Sequence, residues 1–361
     1  MVKQGIQLSV LDQSPVAEGS TAGEALRRSV ELARHVEALG YRRFWMSEHH
    51  AMQTLACSAP EVVLARIGAE TSTIRLGSGG IMLPHYSPMK VAETFRTLHA
   101  MYGDRIDLGV GRAPGGGPIE SQALRRDRKA MPADDFPDQM AELLAWLGQG
   151  GGFPAGHPFR RVQLSPAMPG GPEVWMLGSS LWGAAAAAQW GLPFAFAHFF
   201  SPVHTRAAIE NYRRAFQPSP QLAAPRAVIA VGVIVADTDE EARYLSSSVR
   251  LLQQRIRQGD RRPVASPEEA LRQLRFEDGP LGLSPAGAGE EGEFPRYIVG
   301  SPATARRELG AIVAALSLEE VVVNTITHSH SARLRSYTLL AEAFSLKQQG
   351  SANEPEAVLA S

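Results

Sequence analysis

Strand-like and helix-like segments alternate along almost the whole of this 361-residue chain. Residues 6–11 are aliphatic and predict a strand, and residues 21–39 follow with apolar side chains at helical spacing. The same order then recurs. Eight strands are predicted in this way, at residues 6–11, 43–47, 74–78, 106–110, 173–177, 193–197, 227–235 and 321–324. Because a strand–helix–strand crossover joins parallel neighbours, the pattern predicts a parallel α/β sheet.

The number of strands selects the form of that sheet. Eight strands, each followed by a helix, favour a closed (β/α)8 TIM barrel over an open doubly wound sheet. Two segments rich in Gly and Pro exceed the minimal pattern and predict insertions, at 113–136 after the fourth strand and at 259–295 before the eighth. We therefore expect a single barrel domain over residues 1–346 and a disordered tail at 347–361.

Composition excludes several classes of protein. The chain has 36 Lys and Arg against 37 Asp and Glu, and this balance leaves no electrostatic footprint for nucleic acid or an anionic membrane. No apolar run reaches the roughly 18 residues of a membrane span, and no signal-peptide pattern is present at the N-terminus. Cys57 is the only cysteine, which favours a buried small side chain over a nucleophile. These features predict a cytoplasmic protein.

Polar, Gly-rich and His-rich residues follow the predicted strands where each strand ends. The carboxyl ends of barrel strands converge on one face, which carries the active site in enzymes of this architecture. The segments concerned are Asp12-Gln13-Ser14, Ser47-Glu48-His49-His50, Ser78-Gly79-Gly80, Gly109-Val110-Gly111-Arg112, Gly178-Ser179-Ser180, Ala197-His198 and residues 324–330. Their concentration on one face indicates an enzyme.

A phosphate group is one ligand that these segments suit. Arg112 supplies a guanidinium, and Ser179 and Ser180 supply hydroxyls at the start of a predicted helix. Gly178 lets the backbone approach an anion closely. The alternative interpretation is that the serines only cap the helix while Arg112 pairs with an acid.

The pair His49 and His50 also has two interpretations. Histidines titrate near neutrality and suit acid–base chemistry. They can instead bind a metal together with Glu48, His328 and His330. Neither the H-E-x-x-H spacing nor a C-x-x-C pair is present, so no metal site is predicted.

The glycine pattern excludes the common nucleotide-binding loops. Gly109, Gly111 and Gly115 miss the G-x-G-x-x-G spacing, and no G-x-x-x-x-G-K-[ST] motif occurs. Gly79 and Gly80 follow a strand, and their conformational freedom suits either packing against a flat ring or a simple turn.

Longer strings resemble the luciferase-like flavin-dependent monooxygenases. The matching strings are SEHH at 47–50, LGSGGIMLP at 76–84, RIDLGVGRAPG at 105–115, LGSS at 177–180, GLPFAFA at 191–197 and VGSP at 299–302. They occur in the family's order and span roughly residues 6–344. The resemblance implies a (β/α)8 barrel that binds reduced FMN at its mouth. One position departs from luciferase itself, because Gly111 stands where luciferase has a reactive cysteine, so light emission is not implied.

The resemblance also assigns roles to individual residues. Gly79 and Gly80 are expected against the isoalloxazine ring across a cis peptide bond, with Ser78 beside them. Arg112, Gly178, Ser179 and Ser180 are expected to hold the phosphate. His49 is the expected acid–base group near the flavin, with His50 as its neighbour. His198 and Asp12 are expected to contact flavin or substrate.

The activity implied is that of a two-component monooxygenase. A separate flavin reductase would supply reduced FMN, and O2 would oxygenate a small organic substrate. A homodimer is implied, with contacts through the helices after the second and third strands. Three alternatives are a deazaflavin-dependent hydride transferase, a non-catalytic flavin-binding protein, and a metal-dependent barrel hydrolase.

Overall fold

The computed structural model describes residues 5–113, 117–124, 135–149, 151–277 and 292–347. The parts of the two predicted insertions at 114–116, 125–134 and 278–291 lie outside the described residues, and so do residues 348–361 of the predicted tail. The assignment of residues 1–346 to one domain stays a prediction.

The described strands form one parallel sheet that closes on itself. They are β1 (Gln7–Asp12), β2 (Arg43–Met46), β3 (Arg75–Ser78), β4 (Ile81–Met82), β5 (Ile106–Gly111), β6 (Glu173–Gly178), β7 (Phe194–Phe196), β8 (Ala227–Val235), β9 (Tyr297–Gly300) and β10 (Glu320–Asn324). The order is β10-β1-β2-β3-β5-β6-β7-β8, and β8 pairs with β10 to complete the ring. The eight predicted strands therefore form the predicted (β/α)8 barrel.

Two short strands lie outside the ring of eight. β4 pairs with the end of β5 through Ile81 and Val110, and β9 pairs with the second half of β8. They were not predicted, because β4 has only two residues and β9 directly follows the Gly- and Pro-rich segment at 259–295, after which no strand was expected before residue 321.

Helices surround the barrel. They are α1 (Ala22–Ala38), α2 (Pro60–Gly68), α3 (Pro88–Tyr102), α4 (Pro118–Leu124), α5 (Phe136–Trp146), α6 (Leu181–Gln189), α7 (Thr205–Ala215), α8 (Asp239–Arg257), α9 (Pro267–Glu277), α10 (Pro302–Leu316) and α11 (His330–Phe344). The helices α4 and α9 lie inside the predicted insertions and were not expected. In the described part of the chain, no helix combines the length and apolar character needed to cross a membrane.

Strand alternation separates two apolar layers. Outward residues such as Phe44 and Val323 pack against the helices in the larger core cluster. Inward residues form a smaller cluster in the barrel interior, made of Leu11, Trp45, Trp175, Ala195, Val228, Ala230 and Val322. Cys57 belongs to the outer core, and burial raises the pKa of its thiol to about 12, which suits the predicted buried role.

A buried charge network fills the interior at the N-terminal ends of the strands. Arg43 is fully buried, and its guanidinium donates to Glu320 at 2.7 Å, to Asp107 at 2.9 Å and to Glu173 at 3.3 Å. Trp45 donates its indole N–H to Asp107 at 2.9 Å. Burial alone would raise the pKa of Glu173, but neighbouring arginines lower it to about 2. One cation thus links β2 to β5, β6 and β10 across the base of the barrel.

We predict that R43M destabilises the protein strongly, because it removes a fully buried cation that three carboxylates share, while Arg42, Arg75 and Arg226, which also contact these carboxylates, are partly exposed. The expected loss in the free energy of unfolding is about 3–5 kcal/mol, measured by chemical denaturation. The control is R34M, since Arg34 is 64% exposed and lies 3.8 Å from Glu70; it should lose less than about 1 kcal/mol. Equal small losses in both variants would contradict the role given to Arg43.

Candidate active site

The predicted functional residues converge at the mouth of the barrel, where the strands end. The strands β1, β2, β3, β5, β6 and β7 are successive neighbours in the sheet. His49 follows β2, Gly79 follows β3, Arg112 follows β5 and Ser179 follows β6. These residues therefore stand side by side around one rim.

Small residues line the inward side of β5 at this mouth. Asp107, Gly109 and Gly111 are successive inward positions of β5. A Cβ at Gly109 would stand 2.9 Å from the Leu177 side chain, whereas a Cβ at Gly111 would meet no described residue within 4 Å. Among the described residues, the interior is thus filled up to Leu177 and not beside Gly111. A flat ring can rest on such a floor, so the residues present fit a flavin.

Gly79 and Gly80 are joined by a cis peptide bond, as predicted. A Cβ at Gly79 would lie 2.4 Å from the Leu11 side chain, and one at Gly80 would lie 2.6 Å from the Gly109 carbonyl oxygen. Gly80 is therefore required for the close approach of the Gly109 backbone, and Gly79 leaves room for the Leu11 side chain, independently of any ligand. Ser78 is buried and donates its hydroxyl to the Gly109 carbonyl at 2.8 Å, so it braces β3 against β5.

His49 lies half-buried between two polar side chains. The Ser47 hydroxyl is 3.2 Å from Nδ1, and the side-chain amide nitrogen of Gln13 is 3.5 Å from Nε2. Burial, with a smaller contribution from His50, lowers the pKa of the His49 imidazole to about 4. At neutral pH this imidazole is uncharged and can accept a proton. Gln13 was not singled out from the sequence, which gave no spacing signal for it.

His50 has a different environment, because its Nε2 lies 2.6 Å from a carboxylate oxygen of Glu48. The Glu48 side chain is fully buried and also accepts from the Tyr86 hydroxyl at 2.6 Å and the Met82 N–H at 3.0 Å. The sequence suggested Glu48 only as a possible metal ligand, and Tyr86 was missed. Tyr86 and Met82 lie more than 30 residues beyond Glu48 in the sequence, so no local pattern could have indicated these two contacts.

Arg112 stands beside the N-terminus of α6. Its guanidinium lies over the Trp182 ring, with Cζ 4.2 Å from the ring centroid, and Trp182 is the second residue of α6. Ser179 and Ser180 lead into the same helix, and the Ser180 hydroxyl accepts the Gly183 N–H at 3.4 Å. Ser180 thus caps the helix, as one interpretation of the sequence held. The structure also brings together the cation, the hydroxyls and the helix end that an anion would need.

Two other residues that were predicted to contact flavin or substrate form hydrogen bonds with protein groups. His198 is fully buried, with Nδ1 2.7 Å from the Thr205 hydroxyl and Nε2 2.9 Å from the Pro295 carbonyl oxygen. Asp12 is fully buried and accepts from Arg333 at 2.5 Å. These contacts give both residues a role in packing, and their contact with a ligand stays a prediction.

The histidines of the metal interpretation are dispersed. His328 is 3.2 Å from the Glu18 carbonyl oxygen, and His330 is 3.2 Å from Glu31. Among the described residues, no group of three His, Cys, Asp or Glu side chains is arranged to hold a metal ion. The dispersal of these side chains gives the hydrolase interpretation no support.

One side of the mouth is walled by segments from distant parts of the chain. Val264 donates its N–H to the Val16 carbonyl at 2.8 Å, and the Thr54 hydroxyl donates to the Arg261 carbonyl at 2.8 Å. Arg261 also forms an ion pair with Glu120 of α4 at 2.6 Å. The two predicted insertions therefore meet beside the mouth.

Comparison with known proteins agrees with this geometry. The sequence profile of the luciferase-like monooxygenases matches residues 6–319. The chain is 38% identical to a luciferase-like monooxygenase of Escherichia coli strain K12, over 94% of this chain and 97% of that protein. It is 34% identical to N-acetyl-S-alkylcysteine monooxygenase of Bacillus subtilis, over 94% and 98%. The crystal structure of apo-MsnO8 superposes with a TM-score of 0.86 at 45% identity, over 96% and 99%.

We predict that His49 titrates near pH 4 in the folded protein, against an ordinary value of 6.5. Between these values the unfolded chain binds more protons than the folded one, so the free energy of unfolding falls as the pH is lowered from 6.5 to 4. Long-range 15N NMR measures the titration, and H49Q, which identifies the signal, should make this fall in stability shallower. A His49 that titrates between pH 6 and 7 would contradict the predicted neutral state.

Proposed function

The chain belongs to the luciferase-like monooxygenase family, and we propose that it is a two-component monooxygenase that receives reduced FMN from a separate reductase. When bound, reduced FMN supplies the electrons for the activation of O2. The substrate is a small organic molecule that enters the barrel mouth beside the flavin.

The observation that carries this proposal is the position of Arg112 beside the start of α6. The guanidinium over Trp182, the hydroxyls of Ser179 and Ser180 and the helix N-terminus together suit a phosphate monoester. The space beside Gly111 suits a planar ring at the adjacent strand ends. A phosphate at one end and a flat ring at the other match the two ends of FMN.

The protein's own residues then have separate tasks. Arg112 and the start of α6 bind the phosphate, while the packed glycines at 79 and 80 support the ring. His49 is neutral at pH 7 and accepts or returns a proton at Nε2 or Nδ1. The wall that joins Arg261 to Glu120 keeps water from the reacting atoms.

Thioethers are the first substrate class to test. The Bacillus subtilis relative is named for S-alkylated N-acetylcysteine, and it is aligned over 94% of this chain. The proposed reaction transfers one atom of O2 to sulfur and reduces the other to water, with both electrons supplied by the reduced flavin. The expected product is a sulfoxide.

We also propose a homodimer through the outer faces of α2 and α3. Val62 of α2 is 65% exposed and Met101 of α3 is 56% exposed, which leaves large apolar side chains on these neighbouring helices. Sedimentation of the wild type against a V62E/M101E double variant tests this contact.

The monooxygenase proposal predicts incorporation of oxygen from O2. Purified protein, a flavin reductase, NADH, FMN and an N-acetyl-S-alkylcysteine are incubated under 18O2, and the product is analysed by mass spectrometry. One 18O atom per sulfoxide is expected. Tight binding of a deazaflavin together with failure to bind reduced FMN would instead favour hydride transfer. Binding of reduced FMN without product from any thioether would favour a flavin-binding protein or another substrate class.

A second prediction concerns Arg112. The variant R112Q should weaken FMN binding by about tenfold to hundredfold, because a hydrogen bond to a charged group is worth about 1.5–3 kcal/mol. Riboflavin lacks the phosphate, so its affinity should change by less than about threefold. R34Q, on the outer surface of α1, is the matched control. Equal losses for FMN and riboflavin would show that Arg112 does not bind the phosphate.

A further inference from the structure

The Glu48 carboxylate is buried at the rim of the mouth and accepts three hydrogen bonds. One oxygen accepts from His50 Nε2 at 2.6 Å and from the Tyr86 hydroxyl at 2.6 Å. The other oxygen accepts from the Met82 N–H at 3.0 Å. Burial of an unpaired carboxylate costs free energy, and the three hydrogen bonds to Glu48 offset this cost.

The three donors come from the two strand exits that carry the predicted flavin and acid–base groups. Met82 lies two residues beyond the Gly79–Gly80 bond, in β4. Tyr86 ends the short 3-10 turn that follows. His50 follows β2, next to His49. Glu48 therefore fixes the distance between the histidine pair and the glycine pair.

The carboxylate also determines which nitrogen of His50 carries a proton. A carboxylate only accepts hydrogen bonds, so the His50 nitrogen facing it must be the donor. His50 is thus held with a proton on Nε2, and its Nδ1 is left as the acceptor when the ring is neutral. His49 differs, because it contacts the Ser47 hydroxyl and the Gln13 side-chain amide.

We propose that Glu48 is a positioning residue that holds His50 in the Nε2–H tautomer and locks the His49–His50 segment to the Gly79–Met82 turn. His50 is then a second proton-handling group of the site, with a role separate from that of neutral His49. This inference rests on the proposed function for its activity measurement only.

The variant E48Q gives an unusually direct test. The Met82 N–H belongs to the backbone and stays a donor, so the amide oxygen of a glutamine must turn towards it. The amide nitrogen then faces Tyr86 and His50, where the carboxylate had accepted. Tyr86 can rotate its hydroxyl, but His50 must turn Nε2 into an acceptor. E48Q should therefore change His50 from the Nε2–H to the Nδ1–H tautomer.

Long-range 1H–15N NMR of the full-length protein at pH 8 reads the tautomer directly, without any cofactor. H50Q identifies the His50 signals by their loss. The wild type should show His50 protonated on Nε2, and E48Q should show it protonated on Nδ1. Y86F removes one neutral donor only and should keep the Nε2–H form. An unchanged tautomer in E48Q, or an Nδ1–H form in the wild type, would overturn the proposal.

A second measurement separates positioning from simple packing. H50Q retains a side-chain N–H for Glu48 but cannot take up a proton. If His50 handles protons, both H50Q and E48Q should bind reduced FMN within about threefold of the wild type and change its rate of reoxidation by O2 at least tenfold. If H50Q reoxidises reduced FMN at the wild-type rate, His50 acts only as a hydrogen-bond donor, and its proposed role in proton handling is wrong. Should the wild type fail to bind reduced FMN, the proposed function fails, while the tautomer experiment still decides the role of Glu48.

Discussion

The ion pairs of Arg43 across the base of the barrel are the interaction on which the rest of the structure depends. The guanidinium is fully buried, yet it reaches carboxylates from β5, β6 and β10. Arg42, Arg75 and Arg226 also pair with these carboxylates, so the acidic charge at the N-terminal ends of the strands is balanced. The indole rings of Trp45 and Trp175 cover this network from above. The lower half of the interior is therefore filled.

The mouth owes its shape to small residues above this filled interior. The strands β3 and β5 approach so closely that glycine is required at 80 and 109, and Gly79 leaves room for the Leu11 side chain of β1. Among the described residues, none lies within 4 Å of a Cβ placed at Gly111. Polar groups stand around this space on separate strands, and Glu48 ties two of these strand exits together. The site thus combines a tightly packed floor with a rim on which each strand end contributes its own polar or charged side chain.

Much of the fold follows from the sequence, because a barrel is built from repeated strand–helix units and each unit has its own local sequence pattern. All eight barrel strands were predicted to within about a residue, as each is a short, mostly apolar segment followed by a helical pattern. The short strands β4 and β9 and the helices α4 and α9 were missed, since they are brief or lie in segments rich in Gly and Pro. His49 and Arg112 were found because they directly follow predicted strands. Spacing could not indicate that Glu48 meets Tyr86, or that Trp182 lies under Arg112, because those contacts depend on the folded positions of separate elements.

We infer that the barrel mouth is an FMN site, with the flavin phosphate at the start of α6. An anaerobic crystal structure with reduced FMN would locate the flavin directly. The phosphate is expected beside Arg112, Ser179 and Ser180, and the isoalloxazine ring over Gly79 and Gly80 within reach of His49. A flavin bound outside the mouth, or inside it with its phosphate remote from Arg112, would contradict this placement.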